Sequence, residues 1–370
     1  MLTYLTLIFV VFYFLFVSRL VLVRQQISNN REIFIFRSNI VLYIWFIILL
    51  CLAVFRDIDV GTDYGMYYSF FMNESYSGAE VGIGYLYDLA VKYDSFLIFS
   101  TGIYLIFLFF VFRAIRKNCP NYIISLLFFV ITYLYFTSYN QLRQIVAASL
   151  IFYFITYLLN NNRLNKLKFL IVVLVALLFH NSAIFLLLLF LVPKKRISPK
   201  IVITLFTLTI ILYFIPEFKN YIGQLITNIS GFYASKYEQN LDYFFEVNKE
   251  KGMLQLMPVI IQMFIIVMSL YIKSGDKKLN INYKLYDIST NIIVVNLCLY
   301  SLSGIEAIDR LQVYLSFFNI YFYSFLIHIL LNSKDVLYKR FFVTFIFFFW
   351  IMYYILRLKN NIQGIVPYSF

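Results

Sequence analysis

The apolar residues of this chain gather into eleven long runs, each separated from the next by a more polar segment. Apolar windows of roughly 17 to 25 residues predict membrane-spanning helices, because a helix rises about 1.5 Å per residue and the hydrocarbon core is about 30 Å thick. The runs cover residues 2–23, 39–55, 96–112, 121–138, 144–159, 169–192, 201–215, 255–272, 288–303, 311–331 and 341–356. The pattern predicts an all-α polytopic membrane protein, with the first run retained as a span.

Composition and charge agree with this prediction and set its orientation. Hydrophobic residues make up 62% of the chain and charged residues 13%, with a mean hydropathy of +0.81. The segment 24–38 holds three arginines, whereas 56–95 holds two basic residues against seven acids. By the positive-inside rule, the N-terminus and segment 56–95 lie outside. The net charge of +13 is then accounted for by inside loops, and no nucleic-acid partner is expected.

The run 169–192 breaks this charge rule unless it folds back. A single crossing would place the basic segment 194–200 outside and invert every later loop. The triplet His180-Asn181-Ser182 interrupts the run at its middle, so we predict a hairpin of two short tilted helices with His180 at the outer turn. Each half of about 12 residues would cover only about 18 Å of the hydrocarbon core, which is about 30 Å thick. Both halves must therefore be tilted or re-entrant. This gives about twelve crossings with both termini outside. The alternative is one uninterrupted span with an inverted second half.

We expect a single integral membrane domain over residues 1–370, with two notable outer segments. Segment 56–95 has Tyr64, Tyr67, Tyr68 and Phe71 at helical spacing, which predicts helices at the membrane surface. Gly82 and Gly84 would both allow close backbone approach there. Segment 216–254 is rich in tyrosine and mixed charges, which predicts a small lid of short helices.

Three arginines stand at the outer ends of apolar runs: Arg56, Arg143 and Arg310. Guanidinium binds phosphate oxygens bidentately and does not titrate near neutral pH. Converged at one outer mouth, these groups would form an anion site. The plainer interpretation is that Arg56 flanks its span at the lipid headgroups, Arg143 is a helix-end charge, and Arg310 pairs with Asp309.

The other polar residues allow more than one interpretation. Asp57 and Asp59 could hold a divalent cation, but a third ligand is not evident, so no metal is expected. Asp63 precedes an aromatic helical stripe and suits either a helix N-cap or a catalytic base. His180 suits either a core histidine satisfied by the backbone or a catalytic group.

Five short elements occur in a distinctive order along the chain: FRDIDVGTDY, NQLRQIVAASL, FHNSAIF, DRLQVYL and the final IVPYSF. In order and spacing they resemble the EpsG family, which is similar to the Wzy-type polymerases of bacterial exopolysaccharide, capsule and O-antigen synthesis. The resemblance extends from Phe55 to Phe370. The matching positions are Arg56, Gly61, Asp63, Tyr64, Arg143, Gln144, His180, Ser182, Arg310, Pro367 and Tyr368, with Glu80 in a looser match.

The resemblance implies a glycosyltransferase-C-like helical fold and a metal-independent polymerase. Its substrates would be polyprenyl-diphosphate-linked oligosaccharides at the outer face of the bacterial cytoplasmic membrane. Membrane lipid and other polysaccharide export or chain-length proteins would be its partners, and no cofactor is expected.

The chemistry of this reaction suits the residues found. A departing diphosphate needs positive charge, and an acceptor hydroxyl needs a base. We expect Arg143 and Arg310 to bind the diphosphate and Arg56 to support them, with Asp63 or His180 as the base. Supporting residues would be Gly61, Tyr64, Gln144, Ser182, Glu80, Asp309 and Tyr368. Alternatives are a lipid-linked oligosaccharide flippase or other transporter, and less favoured, a glycan ligase or a membrane acyltransferase.

Overall fold

The computed structural model describes residues 2–7, 26–27, 31–32, 39–160, 162–229, 253–272, 279, 281–332 and 336–370. These residues are overwhelmingly helical, and residues 2–7 begin a helix within the first predicted run. Gln26–Ile27 and Arg31–Glu32 form a two-residue antiparallel pair. Most of run 2–23 and residues 230–252 of the predicted lid lie outside the described residues.

The chain divides into two compact units. The first comprises Met1–Phe190, Lys277–Tyr286 and Asn319–Phe370. Its helices are Asn39–Val54, Tyr64–Met72, Val81–Lys92, Phe96–Asn118, Tyr122–Ile131, Leu134–Thr137, Leu142–Phe154, Ile155–Leu159 (3-10), Arg163–Leu177, Asn181–Leu191 (3-10), Phe318–Leu331 and Val336–Lys359.

The core of this first unit is built around the helix Phe96–Asn118. It packs against Asn39–Val54, Val81–Lys92 and Leu142–Phe154. Fully buried apolar residues recur along it every three or four positions, which is the spacing that keeps one helix face against its neighbours; they include Phe99, Ile103, Phe107 and Val111. The apolar periodicity of the sequence thus determines which face of this helix is buried.

The second unit comprises Leu191–Asp276 and Asp287–Phe318. Its helices are Pro199–Tyr213, Pro216–Ile229, Met253–Tyr271, most of Tyr283–Cys298, Leu299–Leu302 (3-10) and Glu306–Ser316. The buried amide of Asn291 fastens the turn that enters this unit. Its Nδ2 donates to the carbonyls of Pro193 (2.7 Å) and Lys195 (2.8 Å), and its Oδ1 accepts from the Ile197 N–H (3.3 Å).

From residue 39 onward, every predicted apolar run contains a helix, but their lengths differ. Among the described residues, five helices are long and apolar enough to span a membrane, or six if Pro199–Tyr213 and Pro216–Leu225, bent by 95°, form one span. Four further apolar helices have 10–17 residues. A 10-residue helix covers only about 15 Å, half of the hydrocarbon core. The five or six long apolar helices make this a multi-pass membrane protein. Because the four further apolar helices are shorter, twelve crossings stay a prediction.

The run containing His180 is broken where the sequence predicted. The helix Arg163–Leu177 ends before His180, and a 3-10 helix, Asn181–Leu191, follows it. The rings of Phe169 and Phe190 pack edge to face with centroids 5.3 Å apart. Because these residues lie at the far ends of the two arms, the run folds back on itself as a hairpin.

The two predicted outer helices are present as Tyr64–Met72 and Val81–Lys92. The prediction for their glycines is half right. A Cβ on Gly82 would lie 2.9 Å from the Leu178 carbonyl oxygen, whereas one on Gly84 would meet nothing within 4 Å. Gly82 alone allows a close backbone approach, because it faces the hairpin turn while Gly84 does not.

Candidate functional site

The buried carboxylate of Glu80 connects two candidate residues of the first unit, Arg143 and His180. Its Oε2 accepts from the Arg143 guanidinium at 2.9 Å. Its Oε1 lies 3.4 Å from Nδ1 of His180 and accepts from the Asn181 N–H at 3.3 Å. The Glu80 side chain is 5% exposed, and that of Arg143 is 32% exposed. The cluster therefore presents a partly accessible cation in front of a buried acid.

Glu80 is ionised across the physiological pH range. Burial by itself would raise the pKa of this carboxyl, but the neighbouring His180 imidazole and the charge of Arg143 outweigh burial and lower the pKa to about 2. A buried carboxylate is stable when it is both paired and hydrogen-bonded. Glu80 meets both conditions, because it contacts a guanidinium, an imidazole and a backbone amide.

Tyr67, on the helix Tyr64–Met72, adjoins this cluster, and Asp63 directly precedes the same helix. The Tyr67 hydroxyl is hydrogen-bonded to Arg143. Burial raises the pKa of Tyr67, the charge of Arg143 lowers it, and the carboxylates of Asp63 and Glu80 raise it. The Tyr67 hydroxyl is thus within electrostatic range of Asp63 as well as of Glu80 and Arg143.

Asp63 does not make the cap predicted for it. It occupies the N-cap position of Tyr64–Met72, yet its side chain makes no capping hydrogen bond. Its φ of −105° and ψ of −9° differ from the extended conformation that turns a capping side chain toward the first helical turn. Its Oδ1 instead accepts from the Thr62 hydroxyl at 2.9 Å, and the residue is half-buried.

Backbone contacts place the parts of the cluster. Glu80 has an extended conformation immediately before Val81–Lys92. Two residues further on, the Gly82 N–H donates to the Leu178 carbonyl at 2.7 Å, which docks this helix on the hairpin turn beside His180. Arg143 is the second residue of Leu142–Phe154, where an uncompensated cation would oppose the helix dipole. Glu80 supplies the compensating charge.

Two other predicted residues lie beside this cluster along the chain. Gln144 follows Arg143 on the same helix and is buried. Ser182 lies in the first turn of the 3-10 arm, two residues after His180, and is half-buried.

Arg56 lies in a separate, enclosed tyrosine cage. Its guanidinium donates to the Tyr104 hydroxyl at 2.7 Å and to the Tyr139 carbonyl at 3.2 Å. The rings of Tyr64 and Tyr139 cover it at 3.7 Å and 4.1 Å from its central carbon. Arg56 is only 4% exposed. The geometry favours a role in holding these elements together over direct contact with a diphosphate.

Gly61 lies where the loop after Arg56 meets the C-terminal segment. Its φ is +105°, and a Cβ would lie 2.8 Å from Oδ1 of Asn140. Its N–H donates to the Gly364 carbonyl at 2.9 Å, and the Asn140 amide donates to the Gln363 carbonyl at 3.1 Å. These contacts explain why this position requires glycine.

The C-terminal segment continues along the same surface. The Asp57 N–H donates to the Ser369 carbonyl at 3.0 Å, and the Tyr368 hydroxyl donates to the Leu52 carbonyl at 3.1 Å. The segment carrying the Pro367-Tyr368 motif therefore braces the loop between Arg56 and Asp63.

Arg310 and Asp309 lie in the second unit, in the first two turns of Glu306–Ser316. Nε of Arg310 donates to Glu306 Oε1 at 2.9 Å, and both side chains are about one-third exposed. The Asp309 carboxylate accepts from the Gly304 N–H at 3.3 Å. Like Arg143, Arg310 is a partly accessible guanidinium near a helix N-terminus with an acidic partner.

Asp57, the first acid after Arg56, makes a local contact. Oδ1 of Asp57 accepts from the adjacent Ile58 N–H at 2.6 Å. Over the residues that the structure describes, no group of three His, Cys, Asp or Glu is placed to hold a metal ion.

Sequence reasoning missed three participants: Tyr67 as an Arg143 partner, the Asn181 N–H as a Glu80 donor, and Tyr104 in the cage around Arg56. Tyr67 stood out only as part of an aromatic stripe, which also describes ordinary helix packing. Tyr104 lies inside an apolar run, where nothing local distinguishes it.

Comparison with known protein families matches residues 39–370 to one family, described as the EpsG family. Comparisons with curated proteins and with solved structures found no match. The family match includes every candidate residue described above. Because it covers nearly the whole chain, the protein belongs to the EpsG family, which is associated with polysaccharide polymerase activity.

Proposed function

We propose that the protein transfers a growing glycan from polyprenyl diphosphate to a lipid-linked oligosaccharide repeat. In this reaction the acceptor hydroxyl oxygen forms a bond to the anomeric carbon of the donor, and the bond from that carbon to the diphosphate oxygen breaks. The acceptor proton passes to a base, and the electron pair of the broken bond leaves with the diphosphate. The reaction occurs on the outer face of the bacterial cytoplasmic membrane.

The observation that carries this proposal is the partly exposed Arg143 backed by the buried Glu80. A guanidinium has five N–H donors, so its contacts with Glu80 and Tyr67 leave capacity for phosphate oxygens. The N-terminus of Leu142–Phe154 adds partial positive charge at the same place. Positive charge held in place before reaction stabilises the departing diphosphate without reorganisation.

The other arginines have different roles in the proposal. Arg310 stays a sequence prediction for diphosphate binding; within its own unit it is partly exposed near a helix N-terminus. Arg56 lies in the loop that carries Asp63. Its contacts with the Tyr104 hydroxyl and the Tyr139 carbonyl join this loop to the helix Phe96–Asn118 and to the loop that leads to Arg143. The transfer uses guanidinium groups where other enzymes use a metal ion.

Asp63 and His180 are the two candidates for the base. His180 lies directly against Glu80, whereas Asp63 is within electrostatic range of Tyr67, which interacts with Arg143. Membrane lipid surrounds the protein, and export and chain-length proteins receive the polymer.

The test is gene deletion followed by complementation with Arg143→Ala or the wild type, at matched protein levels. The wild type should restore long glycan chains, whereas Arg143→Ala should leave single lipid-linked repeats at the outer face. Arg163→Ala is the matched control, because Arg163 also begins a helix but is exposed. Normal chain lengths with Arg143→Ala would refute the diphosphate role. Repeats trapped on the inner face would indicate a flippase instead.

A further inference from the structure

We infer that His180, and not Asp63, is the general base, and that Glu80 is the positioning residue that orients it. This inference rests on the proposed function. It assigns Glu80 a role through His180, in addition to its contact with Arg143.

The first argument concerns the tautomer of His180, which depends on the imidazole nitrogen that faces the Glu80 carboxylate. Nδ1 of His180 lies 3.4 Å from Oε1 of Glu80. A neutral imidazole carries one proton, and a carboxylate beside Nδ1 favours the tautomer protonated there. The lone pair of the neutral ring then lies on Nε2, at the other edge. Nε2 is buried in this structure, and the inference assigns it the acceptor-hydroxyl proton once the bound substrate reaches it.

The second argument is rigidity. Glu80 accepts hydrogen bonds from the Arg143 guanidinium and from the N–H of Asn181, which directly follows His180. The hydrogen bond from Gly82 to Leu178 fastens the same two segments. The acid and the imidazole therefore share one backbone framework, and the imidazole itself is 10% exposed. A base held in this way keeps its orientation without loss of side-chain freedom at the moment of reaction.

Asp63 lacks such a framework. Its carboxylate accepts from the neighbouring Thr62 hydroxyl, it is half-buried, and it does not form the cap that would fix it to its helix. Among the described residues, no set of contacts comparable to those of Glu80 orients it toward a substrate hydroxyl.

The proton transfer balances within this arrangement. As the acceptor oxygen bonds to the anomeric carbon, its proton moves to Nε2 and the ring becomes an imidazolium stabilised by Glu80. The electron pair of the broken bond leaves with the diphosphate beside Arg143. In the described part of the chain, Glu80 faces His180 directly, Arg143 binds the other oxygen of Glu80, and Tyr67 interacts with Arg143. The positive charge of Arg143 disfavours the imidazolium form of His180. The negative charge of a bound diphosphate offsets this effect.

The chain offers a direct test, because it has only two histidines, His180 and His328. In the purified full-length His328→Gln protein, ¹⁵N-labelled imidazole gives one histidine signal in NMR spectra. We expect the neutral ring to carry its proton on Nδ1. A proton on Nε2 would overturn the inference, and this measurement needs no change at Glu80.

The same sample gives the pKa of His180. Replacing the carboxylate in Glu80→Gln should lower this pKa by about one unit or more, because an adjacent negative charge favours the imidazolium. Asp88→Asn is the matched control on the same helix, since Asp88 is exposed and pairs with Tyr76. It should leave the pKa of His180 unchanged. An equal pKa in wild type and Glu80→Gln would overturn the inference.

Activity provides the second readout, in membranes of cells that make the lipid-linked repeat. Chain extension should rise with pH as His180 loses its proton, and in Glu80→Gln this rise should shift to lower pH by the same amount as the pKa. A purely structural role for Glu80 would lower the rate without moving the profile. If the pKa shifts but His180→Gln extends chains at the wild-type rate, the base assignment fails. Loss of extension in Arg143→Ala alongside that result would leave the proposed polymerase function standing.

Discussion

The buried Glu80 carboxylate predicts a specific dependence of stability on pH. In Glu80→Gln the amide stands in for the protonated carboxyl, with almost the same shape. The ordinary pKa of 4.5 falls to about 2 in the folded protein, where burial is outweighed by His180 and Arg143. At about 1.4 kcal/mol per unit, the charged form should stabilise the fold by about 3 kcal/mol.

The sign follows from the direction of the shift. A carboxyl whose pKa is lowered by folding stabilises the protein fully above its unfolded pKa, here 4.5, and the contribution is lost as pH falls toward 2. The difference in unfolding free energy between wild type and Glu80→Gln should be about 3 kcal/mol at pH 5 and less than half of that at pH 3.

The assay is denaturant unfolding in detergent micelles at pH 7, 5 and 3, followed by circular dichroism. Asp88→Asn serves as the control and should track the wild type at every pH. A difference between wild type and Glu80→Gln that is the same at pH 5 and pH 3 would refute the reasoning. Such a result would mean that packing, and not charge, accounts for the loss.

Three further substitutions test the framework around the site. Gly82→Val should abolish chain extension and lower the protein level, because its Cβ would lie 2.9 Å from the Leu178 carbonyl oxygen. Gly84→Ala is the control and should behave as wild type, because a Cβ there meets nothing within 4 Å. Immunoblots compare the protein levels, and chain-length analysis compares the activity. Arg56→Lys should lower unfolding stability by about 1–3 kcal/mol, because a single ammonium does not reproduce the guanidinium fork; unchanged thermal unfolding would contradict the cage interpretation. Gly61→Ala should reduce thermal stability, since φ is +105° and the adjacent side chain lies 2.8 Å from the new Cβ; a stability equal to wild type would show that the loop relaxes freely.

Much of the architecture follows from local sequence. Apolar runs and their interruption at His180 determine where helices form and where one folds back, because each depends on neighbouring residues only. The number of spans was less predictable. The run 121–138 contains two short helices, Tyr122–Ile131 and Leu134–Thr137, separated by Tyr133 in a left-handed conformation. Nothing in an apolar run of bulky residues announces such a break.

The candidate site shows the same division. Arg143, His180 and Glu80 could each be singled out by residue type and by their place in the order of family elements. Their meeting could not be predicted, because 63 residues separate Glu80 from Arg143 and 101 separate it from Asn181. Sequence periodicity determines faces of helices, but it carries no information on which loops come together.

The sequence by itself determined a helical membrane protein of the EpsG type with conspicuous arginines at the ends of its apolar runs. Only the tertiary structure decided what those arginines contact. It enclosed Arg56 among tyrosines, left Arg143 partly open beside Glu80, and turned Nδ1 of His180 toward the same acid. The physical reason is that a charge near a membrane acquires its role from its partners and its exposure. Both depend on the packing of segments distant in the chain.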